Sequence, residues 1–270
     1  MAKLILNGNR FGRVYANDDS FTNIMIDGKP HKLKRNTSSD SIVLCHFEDD
    51  YVNNQFTDAK GNVFTRNNNG AIITDGTGLG FTSKFGSKFA WWSNTVTYLN
   101  TNYIPELNFL TGDFTIDFWI NYRNSNGRYC IFTLGASDKS GLQIDIFNKI
   151  VRMWFIHPTK YKWLIGGDTY DYYGGSSISL TTNRWTHVAM VRNGGYVSLY
   201  IDGQLGCRVN IGNATLRDFS SSANAGCQLG TWDFTKTRYP LLLTAIDEFR
   251  IVGKAMWTDE FTPPTEPYTN

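Results

Sequence analysis

The chain has 270 residues, of which 41% are hydrophobic, 15% aromatic and only 19% charged. This composition excludes a disordered chain, a coiled coil and a long helical bundle, and it favours β-strands, where aromatic and β-branched side chains pack well. The net charge of +2 is too small for a protein that binds nucleic acid.

Residues 1–40 form a predicted N-terminal arm with a ten-residue repeat. Each repeat opens with an apolar triplet and then has a turn pair: Asn7-Gly8, Asn17-Asp18 and Asp27-Gly28. Asn-Gly and Asp-Gly favour two-residue hairpins, so we expect a small three-stranded meander. With seven Lys or Arg and four Asp, the arm holds the basic excess of the chain. Short strands are marginal alone, so we expect the arm to pack on the main domain, on a second copy or on a host assembly.

Residues 41–270 are predicted to form one β-sandwich. Short runs of strand-forming residues alternate with Gly, Asn and Asp turns, which is typical of a sandwich or barrel. No segment has a sustained 3.6-residue apolar period, so helices should be short or absent. The predicted strands cover residues 41–47, 114–123, 129–135, 142–147, 151–156, 185–193, 196–202 and 247–252. The predicted fold class is therefore all-β, an antiparallel sandwich preceded by a β-hairpin repeat arm.

Four motifs, in the right order, resemble the laminin G-like, concanavalin A-like family. The most specific is RWTHVAMVRNGGYVSLYIDGQLG at 184–206, with a Trp-x-His strand, a tight turn and a strand that ends in Tyr-x-Asp-Gly. The segments 44–62 and 111–120 resemble the opening strand of the family and the strand that begins Gly-Asp-Phe-Thr. The segment 244–268 resembles its closing strand and a tail that wraps the sandwich. The resemblance implies a concanavalin A-like jelly-roll fold.

The same resemblance implies a biological setting. Phage virion proteins often carry this domain with a Phe-x-Pro-Pro-x-x-Pro-Tyr ending, present here at 261–268, and the arm resembles those of some phage structural proteins. We therefore expect a homo-oligomeric virion protein of the capsid-decorating or tail-fibre type, made in the host cytoplasm and located on the virion surface. Its arm would bind other virion proteins, and its sandwich would bind host or environmental glycans or stabilise the particle through contacts. A soluble carbohydrate-binding module or glycoside hydrolase-like protein of bacterial origin is the alternative.

The sequence predicts neither secretion nor membrane insertion. The first residues contain no apolar signal segment, and no run approaches 18 apolar residues. The cysteines lack the spacing of a zinc site and are expected to be free and buried: Cys45, Cys130, Cys207 and Cys227.

Catalysis is not expected. Glycoside hydrolases need two carboxylates about 5–10 Å apart, which a strand supplies from residues on one face. Asp117 and Asp145 stand alone on their strands, and the adjacent Asp247 and Glu248 should point to opposite faces. The histidines lie outside any nucleophile motif and are interpreted as structural: His31, His46, His157 and His187.

Exposed aromatic rings are the predicted ligand site, because sugar rings stack on Trp and Tyr. One segment contains Trp91 and Trp92, which should face opposite sides of a strand so that one lies in the core. A long connection with many glycines contains most of the other rings. The predicted site consists of Trp92, Tyr161, Trp163, Tyr170, Tyr172, Tyr173 and Trp232. Strand packing and a protein–protein contact are the alternative roles for these rings.

The family resemblance also implies one structural calcium ion that ties the opening strand to the closing strand. Calcium prefers oxygen ligands from separate segments. Asp247 matches the closing-strand carboxylate, Glu48 or Asp49 matches the opening-strand carboxylate, and Gly86 offers a carbonyl. In the alternative, Asp247 caps a turn or accepts backbone N–H bonds.

Overall fold

The computed structural model describes residues 5–6, 9–10, 24–26, 29–31, 40–67, 71–93, 96–124, 126–136, 139–155, 176–216, 218–220, 225–231 and 239–269. Its strands are β1 (Ile5–Leu6), β2 (Asn9–Arg10), β3 (Ile24–Ile26), β4 (Lys29–His31), β5 (Ser41–Cys45), β6 (Gln55–Thr57), β7 (Val63–Asn67), β8 (Ala71–Thr74), β9 (Phe89–Trp92), β10 (Tyr98–Thr101), β11 (Phe114–Tyr122), β12 (Arg128–Ala136), β13 (Lys139–Phe147), β14 (Ile150–Phe155), β15 (Trp185–Asn193), β16 (Tyr196–Ile201), β17 (Gln204–Asn210), β18 (Gly226–Leu229) and β19 (Thr244–Val252). One short 3-10 turn covers Pro105–Leu107. None of the described helical segments has the length and apolar character needed to cross a membrane.

The described strands of the arm form two hairpins. Ile5 pairs with Arg10, and Ile24 pairs with His31, both in antiparallel register. The predicted turns at Asn7-Gly8 and Asp27-Gly28 lie outside the described residues. Each described pair forms a two-stranded sheet. The second repeat at 14–23, which the expected three-stranded meander also requires, lies outside the described residues.

Two antiparallel sheets form the sandwich, which confirms the predicted fold class. The seven-stranded sheet has the order β14-β13-β12-β18-β10-β7-β6. The eight-stranded sheet has the order β17-β16-β15-β11-β19-β9-β8, with β5 beside β19. All eight predicted strands are present, with ends shifted by up to three residues. The sequence reasoning missed the shorter strands β6 to β10, β17 and β18.

The core lies between the two sheets. On β11 the residues Phe114, Ile116, Phe118 and Ile120 are fully buried in it, as the alternation predicts. The other face of β11 is also buried, which the alternation alone does not predict. An additional layer must therefore cover the outer face of the eight-stranded sheet.

Two segments provide that layer. The loop at 75–88 brings Phe81 onto a cluster with Phe89 and Trp91, and the C-terminal tail brings Trp257 and Phe261 onto the face that contains Tyr200. The rings of Trp257 and Phe261 stack with their centroids 4.0 Å apart. The predicted tail therefore runs along the sandwich, and it covers the part of this face that contains Tyr200.

Candidate functional site

Three of the four residues predicted to bind calcium come together at the loop 83–88. Asp247 Oδ2 accepts the backbone N–H of Lys84 at 2.9 Å and that of Phe85 at 3.1 Å. Glu48 accepts the backbone N–H of Ser87 at 3.0 Å and its hydroxyl at 2.6 Å. The two carboxylates thus hold one loop against the strand end of β5 and the middle of β19.

Gly86 contributes to this loop by its lack of a side chain. Its φ is +58°, and a Cβ there would lie 2.0 Å from Glu48 Oε1, so any larger residue would displace the carboxylate. Its carbonyl accepts the hydroxyl of Ser83 at 3.1 Å. The fourth predicted ligand, Asp49, is exposed.

This arrangement fits calcium poorly. The groups that surround Glu48 and Asp247 are N–H and O–H donors, whereas calcium requires six to eight oxygen ligands. Within the described ranges, no three His, Cys, Asp or Glu side chains form a group that could hold a metal ion. Burial raises the pKa of Asp247 to about 8, against the opposing effect of the backbone N–H of Phe85. The structural calcium stays a prediction from the family resemblance.

A second buried carboxylate, Asp117, anchors the tail. Arg250 donates Nε to Oδ1 at 3.0 Å and Nη2 to Oδ2 at 2.9 Å, and the Tyr268 hydroxyl donates to Oδ2. His187 Nε2 lies 3.3 Å from Asp117 Oδ2 and 3.2 Å from the Tyr268 hydroxyl. Burial works to raise the pKa of Asp117, but the Arg250 charge and the hydrogen bonds outweigh it and lower the pKa. His187 is thus a structural histidine, as interpreted from the sequence.

The prediction that Asp247 and Glu248 point to opposite faces is wrong. Glu248 has a φ of +50° where the pairing of β11 with β19 shifts register, so the strand bulges there. As a result, both carboxylates accept hydrogen bonds from the layer outside the eight-stranded sheet. Glu248 Oε2 accepts the backbone N–H of Tyr268 at 2.9 Å, and its Oε1 lies 2.7 Å from His46 Nδ1.

The remaining buried carboxylates also accept hydrogen bonds from protein groups. Asp145 accepts bonds from Arg128 and Arg152, and Asp58 accepts the backbone N–H groups of Leu44 and Asn62 at 2.9 and 2.7 Å. Within the part of the chain that the structure describes, every buried carboxylate is therefore bound by arginine, histidine or backbone amides. Such groups stabilise the fold and do not form an open acid–base pair.

Trp92 was predicted wrongly as a surface ligand residue. It is 0% exposed, and Trp91 beside it is only 5% exposed. Trp92 faces the core between the sheets, and the loop at 75–88 covers Trp91 on the outer face of β9, so both rings are buried. The other predicted aromatic ligands lie outside the described residues: Tyr161, Trp163, Tyr170, Tyr172, Tyr173 and Trp232.

The outer face of the seven-stranded sheet carries a different set of groups. Each of its strands contributes one polar or aromatic residue to a row that crosses the sheet, and each residue of the row is paired with the next one on the neighbouring strand. The row consists of Trp154, Gln143, Thr133, Gln228, Asn100, Thr65 and Gln55. Their neighbours along each strand, such as Ile144, Phe132 and Leu229, lie in the core, so the row faces outward. We name this set the transverse row.

The transverse row is open at one end only, because its other four members are buried: Trp154, Gln143, Thr133 and Gln228. Gln55 is exposed, Thr65 and Asn100 are half-buried, and Gln55 Nε2 donates to Thr65 Oγ1 at 3.2 Å. Next to its other end lie two exposed rings that sequence reasoning missed, Phe147 at 43% and Tyr239 at 38% exposure. The strand period could have revealed Phe147, because it shares a face with Asp145 and Gln143.

Two packed antiparallel sheets of this topology define a β-sandwich of the concanavalin A-like type. The chain belongs to the concanavalin A-like lectin/glucanases superfamily, whose laminin G-type family model matches residues 93–260, more than half of the chain. No curated protein sequence matches the chain.

Solved structures of toxin binding domains share the fold. The binding domain of Paraclostridial Mosquitocidal Protein 1 matches with a TM-score of 0.58 and 17% identity over 81% of this chain and 50% of that one. The botulinum neurotoxin serotype G binding domain matches at 0.54 and 19%, over 80% and 48%. The serotype D ligand binding domain, solved in complex with N-acetylneuraminic acid, matches at 0.53 and 20%, over 81% and 48%. The chain spans about half the length of these structures.

Proposed function

We propose that this protein is a non-enzymatic, glycan-binding sandwich displayed on a phage particle. The observation that carries the glycan-binding part is the open end of the transverse row, where Gln55 is exposed and Thr65 and Asn100 are half-buried on neighbouring strands. Amides and hydroxyls bind sugar hydroxyls, and rings receive the apolar face of the sugar. On the opposite sheet, the loop at 75–88 and the tail cover the outer face around Trp91 and Tyr200.

The buried, hydrogen-bonded carboxylates support a role without catalysis. Asp117 and Asp145 are neutralised by arginines, and Asp247 is tied to a backbone loop, so none is placed to protonate a leaving group. The glycan complex of the serotype D toxin domain supports a sugar as the ligand class for a sandwich of this shape.

The virion setting is supported by the two-part organisation and by the phage-like tail. The two arm hairpins are too small to be stable alone, which favours a role in attachment to other virion proteins or in homo-oligomerisation. Mass spectrometry of purified virions tests this part of the proposal. Deletion of residues 1–40 should abolish attachment while the sandwich still folds, and a deletion variant that still attaches would refute the role of the arm. Absence from virions would favour the alternative, a bacterial carbohydrate-binding module.

A glycan microarray tests the binding function. We expect binding to at least one glycan, and we expect Gln55→Ala to weaken it because the open end of the transverse row loses an amide. Gln204→Ala is the matched control, since Gln204 is also exposed but lies on the edge strand β17 of the other sheet. No binding to any glycan would refute the function, and release of reducing sugar from a polysaccharide would refute its non-enzymatic character.

A further inference from the structure

We infer that the open end of the transverse row is a subsite for a neutral acetamido sugar, formed by Val52, Gln55, Val63 and Thr65. We name these four residues the valine–amide patch. The inference rests on the proposed glycan-binding function and specifies the ligand class. Its basis is a hydrogen-bond donor and an acceptor that stand side by side between two exposed valines.

Strand pairing places the four side chains on one face. Val52 and Gln55 form an antiparallel bridge, in which the backbone N–H of each residue donates to the carbonyl of the other at 2.8 and 3.0 Å. Gln55 is directly opposite Thr65, and Val63 lies two residues before Thr65 on the same strand. Directly opposed residues share a face of the sheet, as do residues two apart on a strand. Phe64 lies in the core, so the shared face points outward.

The polar centre of the patch is the pair of Gln55 and Thr65. Gln55 Nε2 donates to Thr65 Oγ1 at 3.2 Å. The carboxamide oxygen of Gln55 is then an acceptor, and the Thr65 hydroxyl keeps its own hydrogen for donation. Gln55 is exposed and Thr65 is half-buried, so a ligand can reach both groups. An amide is their complement, because its N–H can donate to Gln55 Oε1 while its carbonyl accepts the Thr65 hydroxyl.

The valines add an apolar contact on both sides of this pair. Val52 is 73% exposed, the highest value among the large hydrophobic side chains that the structure describes, and Val63 is 44% exposed. Val52 lies opposite Gln55, and Val63 lies next to Thr65 on the outward face. A methyl group that contacts either valine leaves water, which is favourable. An acetamido group carries an amide and a methyl group together, and so matches both features of the patch.

The turn before Gln55 holds the patch rigid. Asn53 and Asn54 have φ of +52° and +62°, and a type I′ turn requires positive φ at both of its central residues. Arg66 supports this turn, since its Nη2 donates to Asn54 Oδ1 at 2.8 Å and its backbone N–H donates to the Asn54 carbonyl at 2.7 Å. Val52 therefore projects from a fixed backbone, and a ligand that contacts it orders little of the protein.

The chemistry of the patch favours an acetamido sugar over charged and simple sugars. All four side chains are uncharged, so a carboxylate or an ammonium group placed on them would lose water without gaining an ion pair. A sugar with a hydroxyl at the same position can form hydrogen bonds but has no methyl group for the valines. The neutral acetamido group is the substituent that uses the whole patch.

The test compares three oligosaccharides that share one linkage and differ only in the substituent at the second ring carbon. Isothermal titration calorimetry measures the binding of the β-linked trimers of N-acetylglucosamine, glucose and glucosamine to the full chain. We expect the N-acetylglucosamine trimer to bind more tightly than the glucose trimer by a factor of about four or more, since the transfer of one methyl group out of water is worth that factor. The glucosamine trimer should bind more weakly than the N-acetylglucosamine trimer, whose affinity should depend little on ionic strength.

Two variants assign the preference to the patch. Val52→Thr exchanges one methyl group for a hydroxyl and should lower the preference for the acetylated trimer. Gln55→Glu should lower it too, because the new carboxylate accepts the Thr65 hydroxyl, and it should also tighten binding of the cationic glucosamine trimer. The matched controls are Ile72→Thr and Gln204→Glu, at exposed positions of the eight-stranded sheet, which should keep the preference. Thermal melts establish that each variant folds.

The outcomes separate this inference from the proposed function. Equal binding of the N-acetylglucosamine and glucose trimers overturns the subsite but leaves glycan binding intact. The same holds if none of the three trimers binds while other glycans bind on a microarray. A preference that survives both Val52→Thr and Gln55→Glu in folded proteins also overturns the subsite. Failure to bind any sugar overturns both the subsite and the proposed function.

Discussion

Replacement of Tyr268 by Phe tests how strongly the tail is anchored. The Tyr268 hydroxyl donates to Asp117 Oδ2 and lies 3.2 Å from His187 Nε2, and its ring packs 3.7 Å from the Arg250 Cζ. The Phe variant keeps the ring and removes only the hydroxyl. Because Asp117 and His187 are fully buried, water cannot replace the lost donor without opening the tail.

The expected loss of stability in Tyr268→Phe follows from the negative charge of the acceptor, Asp117. A hydrogen bond to a charged group contributes about 1.5–3 kcal/mol to stability. For a domain of this size each kcal/mol changes the Tm by about 2–4 °C, so Tyr268→Phe should lower the Tm by about 3–12 °C. Tyr268→Ala also loses the buried ring, which adds a cost of about 3–5 kcal/mol.

Urea unfolding and thermal unfolding of the two variants provide the measurement. Tyr196→Phe is the matched control, because Tyr196 is 48% exposed and its change should stay within about 0.5 kcal/mol. If Tyr268→Phe changed stability no more than this control, the tail would not be held by Asp117, and the account of the sealed eight-stranded sheet would be wrong.

Three further predictions concern the same sheet. Burial raises the pKa of Asp247 to about 8, so the folded state binds the proton more tightly than the unfolded chain does. The free energy of unfolding, measured in urea titrations, should therefore fall as the pH rises from about 4 to about 8. The decrease should be smaller in Asp247→Asn. Gly203→Ala should destabilise more than Gly194→Ala in thermal melts, since both have positive φ but only a Cβ at Gly203 would meet Phe261 O, at 1.8 Å. If a structural calcium ion binds at Glu48 and Asp247, a chelator should lower the Tm of the protein. An unchanged Tm would contradict the predicted calcium site.

Strands with a strict period of two could be predicted from sequence. The segment 185–193 is correct at both ends, because alternation along it and the Asn193-Gly194-Gly195 turn after it are local signals. Short strands such as β6 and β18 lack that signal. Their pairing depends on neighbours distant in the chain, for instance Gln228 of β18 beside Asn100 of β10.

The candidate site could be predicted only in part. Glu48, Gly86 and Asp247 were brought together correctly, because the opening and closing strands of this family are neighbours, but the sequence does not show that backbone N–H groups fill the space between them. The inward direction of Trp92 depends on how β9 pairs with β19, and the direction of Glu248 depends on a bulge. Both are long-range or local backbone effects that alternation cannot reveal.

Chemical-shift mapping with the glycan that binds best is the most direct test of the central claim. We predict that the perturbed backbone amides belong to residues whose side chains lie on the outer face of the seven-stranded sheet, around Gln55 and Thr65. Perturbations confined to the eight-stranded sheet and to the tail that covers it would contradict the claim.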